Sequence, residues 1–350
     1  MGGFAIGIEL DGDGDHPAAW RRARQRPDRL LTGDTVRTRV LAAENAGFTF
    51  ATFADSIVPG EQTPGRVDAV TRAAFVAATT STIGLVPAVA TTYAEPFHTA
   101  SQIASLDYAA RGRAGWLAEP TADPRAAATW GRPTVTAPTD LAREQRDSIE
   151  VARRLWDSWE DDAVIRDYAS GRFLDRDRLH YIDFVGETFS VKGPAIVPRP
   201  PQGQPVVFGA DGDVDVLLVT APTVAEIAEA AGHSDAPLTF AELAVTLDTP
   251  TATAAERRAE LDAHADSPET DRLAFAGAAA DLVELLVELA GHVDGIRLRP
   301  AVIDEELPVL TRLVLPALLR SGHAHRPIPG TTLRAELGLA RPANRYATAH

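Results

Sequence analysis

Apolar residues along this chain fall into two alternating patterns. Short runs rich in β-branched or aromatic residues read as strands, and longer stretches with apolar positions three or four apart read as amphipathic helices. Phe4–Ile8 is the first strand. Thr35–Ala46 carries Val36, Val40, Leu41 and Ala43 at helical spacing, and Gly47 stands where a helix C-terminal cap belongs. Phe48–Ala54 then reads as a strand ending at Asp55, Val67–Thr80 as a helix, Ile83–Val89 as a strand, Phe97–Ala109 as a helix and Arg113–Leu117 as a strand. Thr139–Asp161 is a long helix with Ile149, Val151, Leu155, Trp156 and Trp159 as its apolar positions. Val206–Phe208 and Val214–Val219 are strands. Val224–Ala231, Leu238–Thr246, Ala254–Ala265 and Ala278–Ala290 continue the alternation, Gly295–Leu298 is the last short strand, and Leu307–Leu319 is the last long helix.

Roughly eight strands alternating with helices imply a parallel sheet, either a closed (β/α)8 barrel or an open doubly wound sheet. No internal repeat is evident. Two stretches interrupt the alternation. Asp162–Pro201 holds a hairpin, Tyr181–Phe184 with Thr188–Lys192, turning at Gly186-Glu187, and its length suggests a functional or lid-like insertion. Asp11–Arg29 opens with a Gly/Asp repeat that lacks the twelve-residue pattern and terminal Glu of a calcium loop, so a solvated loop is expected there.

Composition narrows the function. The 350 residues include 34 Lys+Arg against 49 Asp+Glu, a formal charge of −15, which argues against recognition of a nucleic-acid backbone. With no Cys there is no disulfide, no thiolate chemistry and no Cys-ligated metal. Lys192 is the sole lysine, so nearly every cation is an arginine. Hydrophobic residues at 45% and charged residues at 24% are ordinary for a globular chain, and α/β barrels of this length form one domain. The N-terminal apolar run lacks a basic flank and meets Asp11, Asp13 and Asp15 at once, unlike a signal peptide. No stretch approaches the ~20 apolar residues of a membrane span, so a cytoplasmic location is expected.

Motifs alone say little. There is no Rossmann fingerprint, P-loop or GxSxG elbow; Gly209-Ala210-Asp211-Gly212-Asp213 follows a strand but has neither the spacing nor the Lys. The nine His form no helical ligand pair, and His323-Ala324-His325 reads as a solvated pair, so no metal site is expected.

Longer segments carry more. They are Ala18-Ala19-Trp20-Arg21, "AAENAGF" and "TFATFADS" within Ala42–Ser56, Ala90–His98, "QIASLDYAARGRAGW" over Gln102–Trp116, "LWDSWEDD" over Leu155–Asp162, "FSVKGPAIVPRPPQGQPVV" over Phe189–Val207, and "GTTLRAELGLARPANRY" over Gly330–Tyr346. In that order, and over nearly the whole chain, they resemble the luciferase-like flavin-dependent monooxygenases, in particular the branch of nitrilotriacetate monooxygenase component A and the related dibenzothiophene and pristinamycin oxygenases. The resemblance implies a single TIM-like (β/α)8 barrel with insertions, spanning 1–350, with the insertion at about 162–201 and a C-terminal extension at about 321–350. It implies reduced FMN delivered by a separate reductase, O2 as co-substrate, a small organic substrate, and a homo-oligomer, either dimer or tetramer.

The resemblance also points to residues. Asp55 falls where the family has an acidic residue at the flavin pocket; otherwise it is a loop or capping carboxylate. Thr91, Thr92 and Tyr93 end the third strand, where the family's strand meets the isoalloxazine ring and a Thr hydroxyl can donate to a ring atom. Trp116 and Gly209 fall at further cofactor contacts. His98 opens the next helix and either lines the substrate side, as a catalytic candidate, or only caps the helix. Trp20 either covers the pocket mouth or packs as a loop aromatic.

Three departures cut the other way. Leu117-Ala118-Glu119-Pro120 replaces the family's Asn and Thr-Ser pair near the flavin. Leu141 and Ala142 stand where an Arg-Tyr pair is expected. The Ser-bearing turn and helix that hold the FMN phosphate are replaced by Phe208-Gly209-Ala210-Asp211-Gly212-Asp213-Val214, with the helix deleted down to Val214–Val219. Two unit charges ~5 Å apart repel by about 3 kcal/mol at an effective dielectric of ~20, so Asp211 and Asp213 would weaken phosphate binding. Two alternatives stay open beside the monooxygenase: a homologue with weak or lost flavin binding acting as a non-catalytic subunit or binding protein, and a deazaflavin-dependent oxidoreductase.

Overall fold

Eight parallel strands close on themselves in the computed structural model, which describes residues 3–58, 65–265 and 271–347. In chain order the first strands and helices are β1 (Ala5–Glu9), α1 (Gly33–Ala46), β2 (Phe50–Phe53), α2 (Ala69–Ala77), β3 (Gly84–Ala90), α3 (Pro96–Ala109) and β4 (Gly115–Glu119). Then come α4 (Pro124–Trp130) and the long α5 (Pro138–Asp157). Two hairpins follow, β5 (Val164–Asp167) with β6 (Arg172–Leu174), and β7 (Phe184–Val185) with β8 (Ser190–Val191). The barrel resumes with β9 (Val206–Gly209), β10 (Val216–Val219), α6 (Val224–Gly232), β11 (Leu238–Leu247) and α7 (Ala254–Asp262). It finishes with β12 (Leu273–Gly277), α8 (Ala279–Leu289), β13 (Gly295–Pro300), α9 (Ile303–Val309), α10 (Leu315–Ser321) and α11 (Leu333–Glu336).

The ring runs β1-β2-β3-β4-β9-β10-β11-β13 and back to β1. Of the two architectures the strand alternation allows, it is the closed barrel that forms. β12 is a ninth strand outside the ring. It pairs with Leu243–Leu247 of β11, beyond Leu238–Ala241, where β10 pairs.

Inward and outward residues alternate along each strand, as closure requires. Phe50, Phe208 and Phe240 meet inside the barrel, with ring centroids 5.2 to 6.1 Å apart. Small inward neighbours make room for them: a Cβ on Gly7 would lie 2.1 Å from the Phe50 ring, and one on Gly295 would lie 2.8 Å from the Phe240 ring. Leu333 and Leu337 of the C-terminal extension join this inner cluster and close the bottom of the barrel. Truncating Leu333→Ala should therefore cost about 2–5 kcal/mol in denaturant unfolding although the residue lies outside every strand.

The outer face is covered by helices whose apolar stripes follow the sequence. Gly47 ends α1 in the left-handed region, at φ 102°, and donates its N–H to Ala43 and Glu44. α9 begins at Ile303, earlier than the apolar pattern indicates, because the Glu306 carboxylate accepts the Val302 N–H at 2.7 Å and Ile303 is fully buried. A π-helical turn, Leu310–Val314, then links α9 to α10. Among the described residues no helix is long and apolar enough to cross a membrane.

Two features bear on the site. First, no helix separates β9 from β10. Parallel neighbours normally need a crossover of a dozen residues or more. Here the chain turns at Gly212 (φ +87°), runs back beside β9 and re-enters as β10, with Asp215 N–H donating to Val207 O at 2.9 Å and the Asp215 carboxylate accepting Val207 N–H at 2.9 Å. Arg334 (3.0 Å) and Arg153 (3.5 Å) hold that carboxylate. Second, the 162–201 insertion supplies no residue to the cavity at the C-terminal ends of β2, β3 and β4. It leaves from the end of α5, which starts at the C-terminal face of the barrel and so ends at the opposite face. Trp159 ties it back through its indole N–H to Ala195 O at 2.8 Å, and Arg199 through Asp157 at 2.9 Å.

Candidate functional site

The C-terminal ends of β2, β3 and β4 surround a cavity of about 510 Å³. α/β barrels place their sites at this face. β2 supplies Asp55 and Ser56 just past its end, β3 supplies Ala88, Val89, Ala90 and Thr92, and β4 supplies Glu119 and Pro120. His98, Thr99 and Gln102 reach in from α3, and Ala126 and Trp130 from α4. The wall is thus partly apolar, with carboxylates and hydroxyls at its rim. No residue of the 162–201 insertion lines it.

Of the residues singled out in the sequence, Asp55, Thr92 and His98 converge on this cavity. Asp55 accepts the Ser56 and Ala69 N–H groups, both at 2.8 Å. Burial raises its carboxyl above the usual range against those two bonds. Thr92 is buried at the cavity wall, and its Oγ1 accepts Thr121 N–H at 3.2 Å. The His98 N–H donates to Glu95 Oε2 at 2.6 Å, which fixes the first turn of α3.

The other candidates sit elsewhere. Thr91 is buried beside the cavity, donating its N–H to Glu119 O at 3.0 Å, with its hydroxyl buried and unpaired. Tyr93 sits at φ 70°, its hydroxyl accepting Val135 N–H at 2.8 Å under the Arg132 guanidinium. Trp116 points out of the barrel, where its indole N–H donates to Val89 O at 3.0 Å and its ring meets Trp156 edge-on. Gly209 is wedged between Gln145 and Val214. Leu117 faces the barrel interior, and Ala142 lies on α5. Trp20 is half exposed beneath Arg21.

The acidic loop after β1 serves arginines. Asp11 pairs with Arg66 and Arg72, and Asp15 with Arg299 (2.6 Å) and Arg272 (3.0 Å).

A charged layer lies beneath the cavity, unsignalled by any motif. Arg297 stands inside the barrel, 2.5 Å from Glu9 Oε2, 2.6 Å from Glu242 Oε1 and 3.0 Å from Thr52 Oγ1. Thr52 in turn donates to Glu9 at 2.8 Å. Burial alone would raise Glu9, but Arg297 and Arg299 drive it from the usual 4.5 down to about 2. Glu242 is likewise held low against burial by the same two arginines. The sequence signal for this layer is polar residues at inward positions, Arg297 and Arg299 in "GIRLRP" and Glu242 in "TFAELAV".

The sign of the Glu9 shift sets a pH dependence. A depressed carboxylate contributes stability above its unfolded pKa and loses it as pH falls through the folded one. Unfolding free energy should therefore drop between about pH 4.5 and pH 2, and Glu9→Gln should flatten that slope in an acid titration followed by circular dichroism.

Glu119 links the layer to the cavity. It faces the open space, 3.9 Å from Arg297 Nη1, and among the described residues no side-chain hydrogen bond holds it. Burial, with Glu9 and Glu242 nearby, pushes its carboxyl up against the pull of Arg297. Glu119 thus presents a carboxyl to the cavity beside the buried Arg297 cation.

The residues present fit a flat, mostly apolar ring edged by hydrogen-bonding groups. They do not fit a phosphate: no Lys or Arg lines the cavity among the described residues, and no helix follows β9.

Comparison with known proteins agrees with the barrel. The profile of the family described as luciferase-like monooxygenase matches residues 15–290. N-acetyl-S-(2-succino)cysteine monooxygenase of Bacillus subtilis is 27% identical over 98% of each chain. A pristinamycin IIA synthase subunit of Streptomyces pristinaespiralis is 34% identical over 89% of this chain and 91% of its own. Among solved structures, EDTA monooxygenase from Chelativorans sp. BNC1 superposes with a TM-score of 0.80 at 19% identity, over 97% of this chain and 99% of its own, and so shares the fold.

Proposed function

The chain belongs to the luciferase-like monooxygenase family, and from that premise we propose that it is a flavin-dependent monooxygenase acting with O2 on a small organic molecule. The observation that carries this reading is the cavity at the ends of β2, β3 and β4, where Asp55, Thr92, His98 and Glu119 come together. Reduced flavin arrives from a separate reductase, as in two-component systems. The flavin supplies the oxygen chemistry; the protein supplies position, a dry wall and charge. Ala88, Val89, Ala90 and Trp130 form the apolar wall, and Thr92 offers a donor to a ring or substrate oxygen. Glu119 exchanges a proton over the fixed Arg297, and His98 faces the substrate side. The monooxygenase relative that spans the whole chain supports this reading over a cofactor-free subunit or a deazaflavin enzyme. A cytoplasmic homo-oligomer belongs to the same proposal.

The test is oxygen uptake with a flavin reductase, NADH, flavin and a panel of small organic sulfur and nitrogen compounds, followed by mass spectrometry. One added oxygen atom in a product, dependent on this chain, is the expected result. Flavin autoxidation at the same rate with and without the chain, for every compound, contradicts it.

A further inference from the structure

A flavin mononucleotide and riboflavin share one ring system and differ by a phosphate dianion. In α/β barrels such a group commonly rests on a helix N-terminus at the C-terminal face, where free N–H groups and the helix dipole favour an anion. In this barrel each helix that begins at that face already carries an acidic side chain at its N-cap or in its first turn. β9 leads into β10 with no helix at all. The helices that begin near the cavity are already capped by their own carboxylates: Asp68 accepts from Thr71 on α2, Glu95 from Phe97 and His98 on α3, and Asp123 from Arg125 on α4. The remaining helices at this face carry an acidic residue in the first turn, namely α1, α5, α6, α7, α8 and α9.

The cavity repeats that sign. Its titratable lining is Asp55, Asp68, Glu95, Glu119, Asp123 and His98. Residues 59–64, outside the described range, carry no Lys or Arg in sequence. The cation below, Arg297, is engaged by Glu9 and Glu242. The loop that replaces the missing helix adds Asp211, whose carbonyl is anchored by Gln145 Nε2 at 3.0 Å beside the end of β4.

We propose that this cavity takes a flavin without its phosphate, riboflavin rather than FMN, because its apolar wall accepts the ring and its helix caps and lining carboxylates reject the dianion. The proposal rests on the flavin-dependent reading above and deepens it.

Titrations of the purified full chain with oxidised riboflavin and with FMN, followed by flavin fluorescence and repeated anaerobically with the reduced forms, test it. Riboflavin is expected to bind at least about tenfold tighter than FMN at low ionic strength, with the gap closing as salt screens the repulsion. Glu119→Gln removes one lining charge and should narrow the ratio at least about threefold, mainly by tightening FMN. A wild-type ratio below tenfold, or FMN the tighter ligand, overturns the proposal and leaves the flavin-dependent reading standing. If neither flavin binds, both fall. If riboflavin is preferred but no product gains oxygen, only the activity is overturned.

Discussion

Ala90→Phe is expected to lower turnover by about a hundredfold or more while leaving the unfolding midpoint nearly unchanged. Ala90 is the last residue of β3, and its methyl faces the cavity between Ala88 and Thr92. A phenyl ring there projects into open space rather than into packed core, so the overpacking penalty of a small-to-large change is largely avoided. It would occupy the volume that a ligand ring needs. Parallel reading of turnover and denaturant midpoint separates blockage from misfolding. Full activity with a normal midpoint would place the chemistry outside this cavity.

Arg297→Met should have the largest effect on stability. The guanidinium is almost wholly buried and engages two carboxylates at 2.5 and 2.6 Å. Removing it leaves Glu9 and Glu242 inside the barrel facing each other's charge, a situation that costs about 3–5 kcal/mol. A large part of that cost is the unpaired carboxylate rather than the lost contact. The double variant Glu9→Gln, Arg297→Met should therefore regain a substantial share of the lost stability in urea titrations. A loss below about 1 kcal/mol for the single variant would show that water enters this layer freely.

The alternation of strands and helices makes the barrel legible, since a βα repeat with β-branched strands has few other outcomes. Gly47 is legible too, because a left-handed cap explains a glycine between an apolar helix and a strand. The expected hairpin around Gly186 forms as Phe184–Val185 with Ser190–Val191, and no helix stands between Gly209 and Val216. The direction of individual strand side chains is harder to read. Barrel strands are buried on both faces, so period-two alternation cannot say which face looks inward. The sequence therefore allows Trp116 toward the cofactor, although its odd-even partner Leu117 is the inward residue. For the same reason the apolar run Phe4–Ile8 stops one residue short of Glu9, whose charge reads as a strand end until Arg297 is seen opposite it. The length of the insertion suggests a lid, but length does not report which end of a helix it leaves.

The most direct measurement is a crystal structure of the chain grown with riboflavin. The ring is expected against Ala88–Ala90, with Thr92 and Glu119 at its edge and the ribityl hydroxyls near the carboxylate-capped helix starts. A ring bound elsewhere, with the cavity at the ends of β2, β3 and β4 left to solvent, would contradict the assignment of this cavity as the active site.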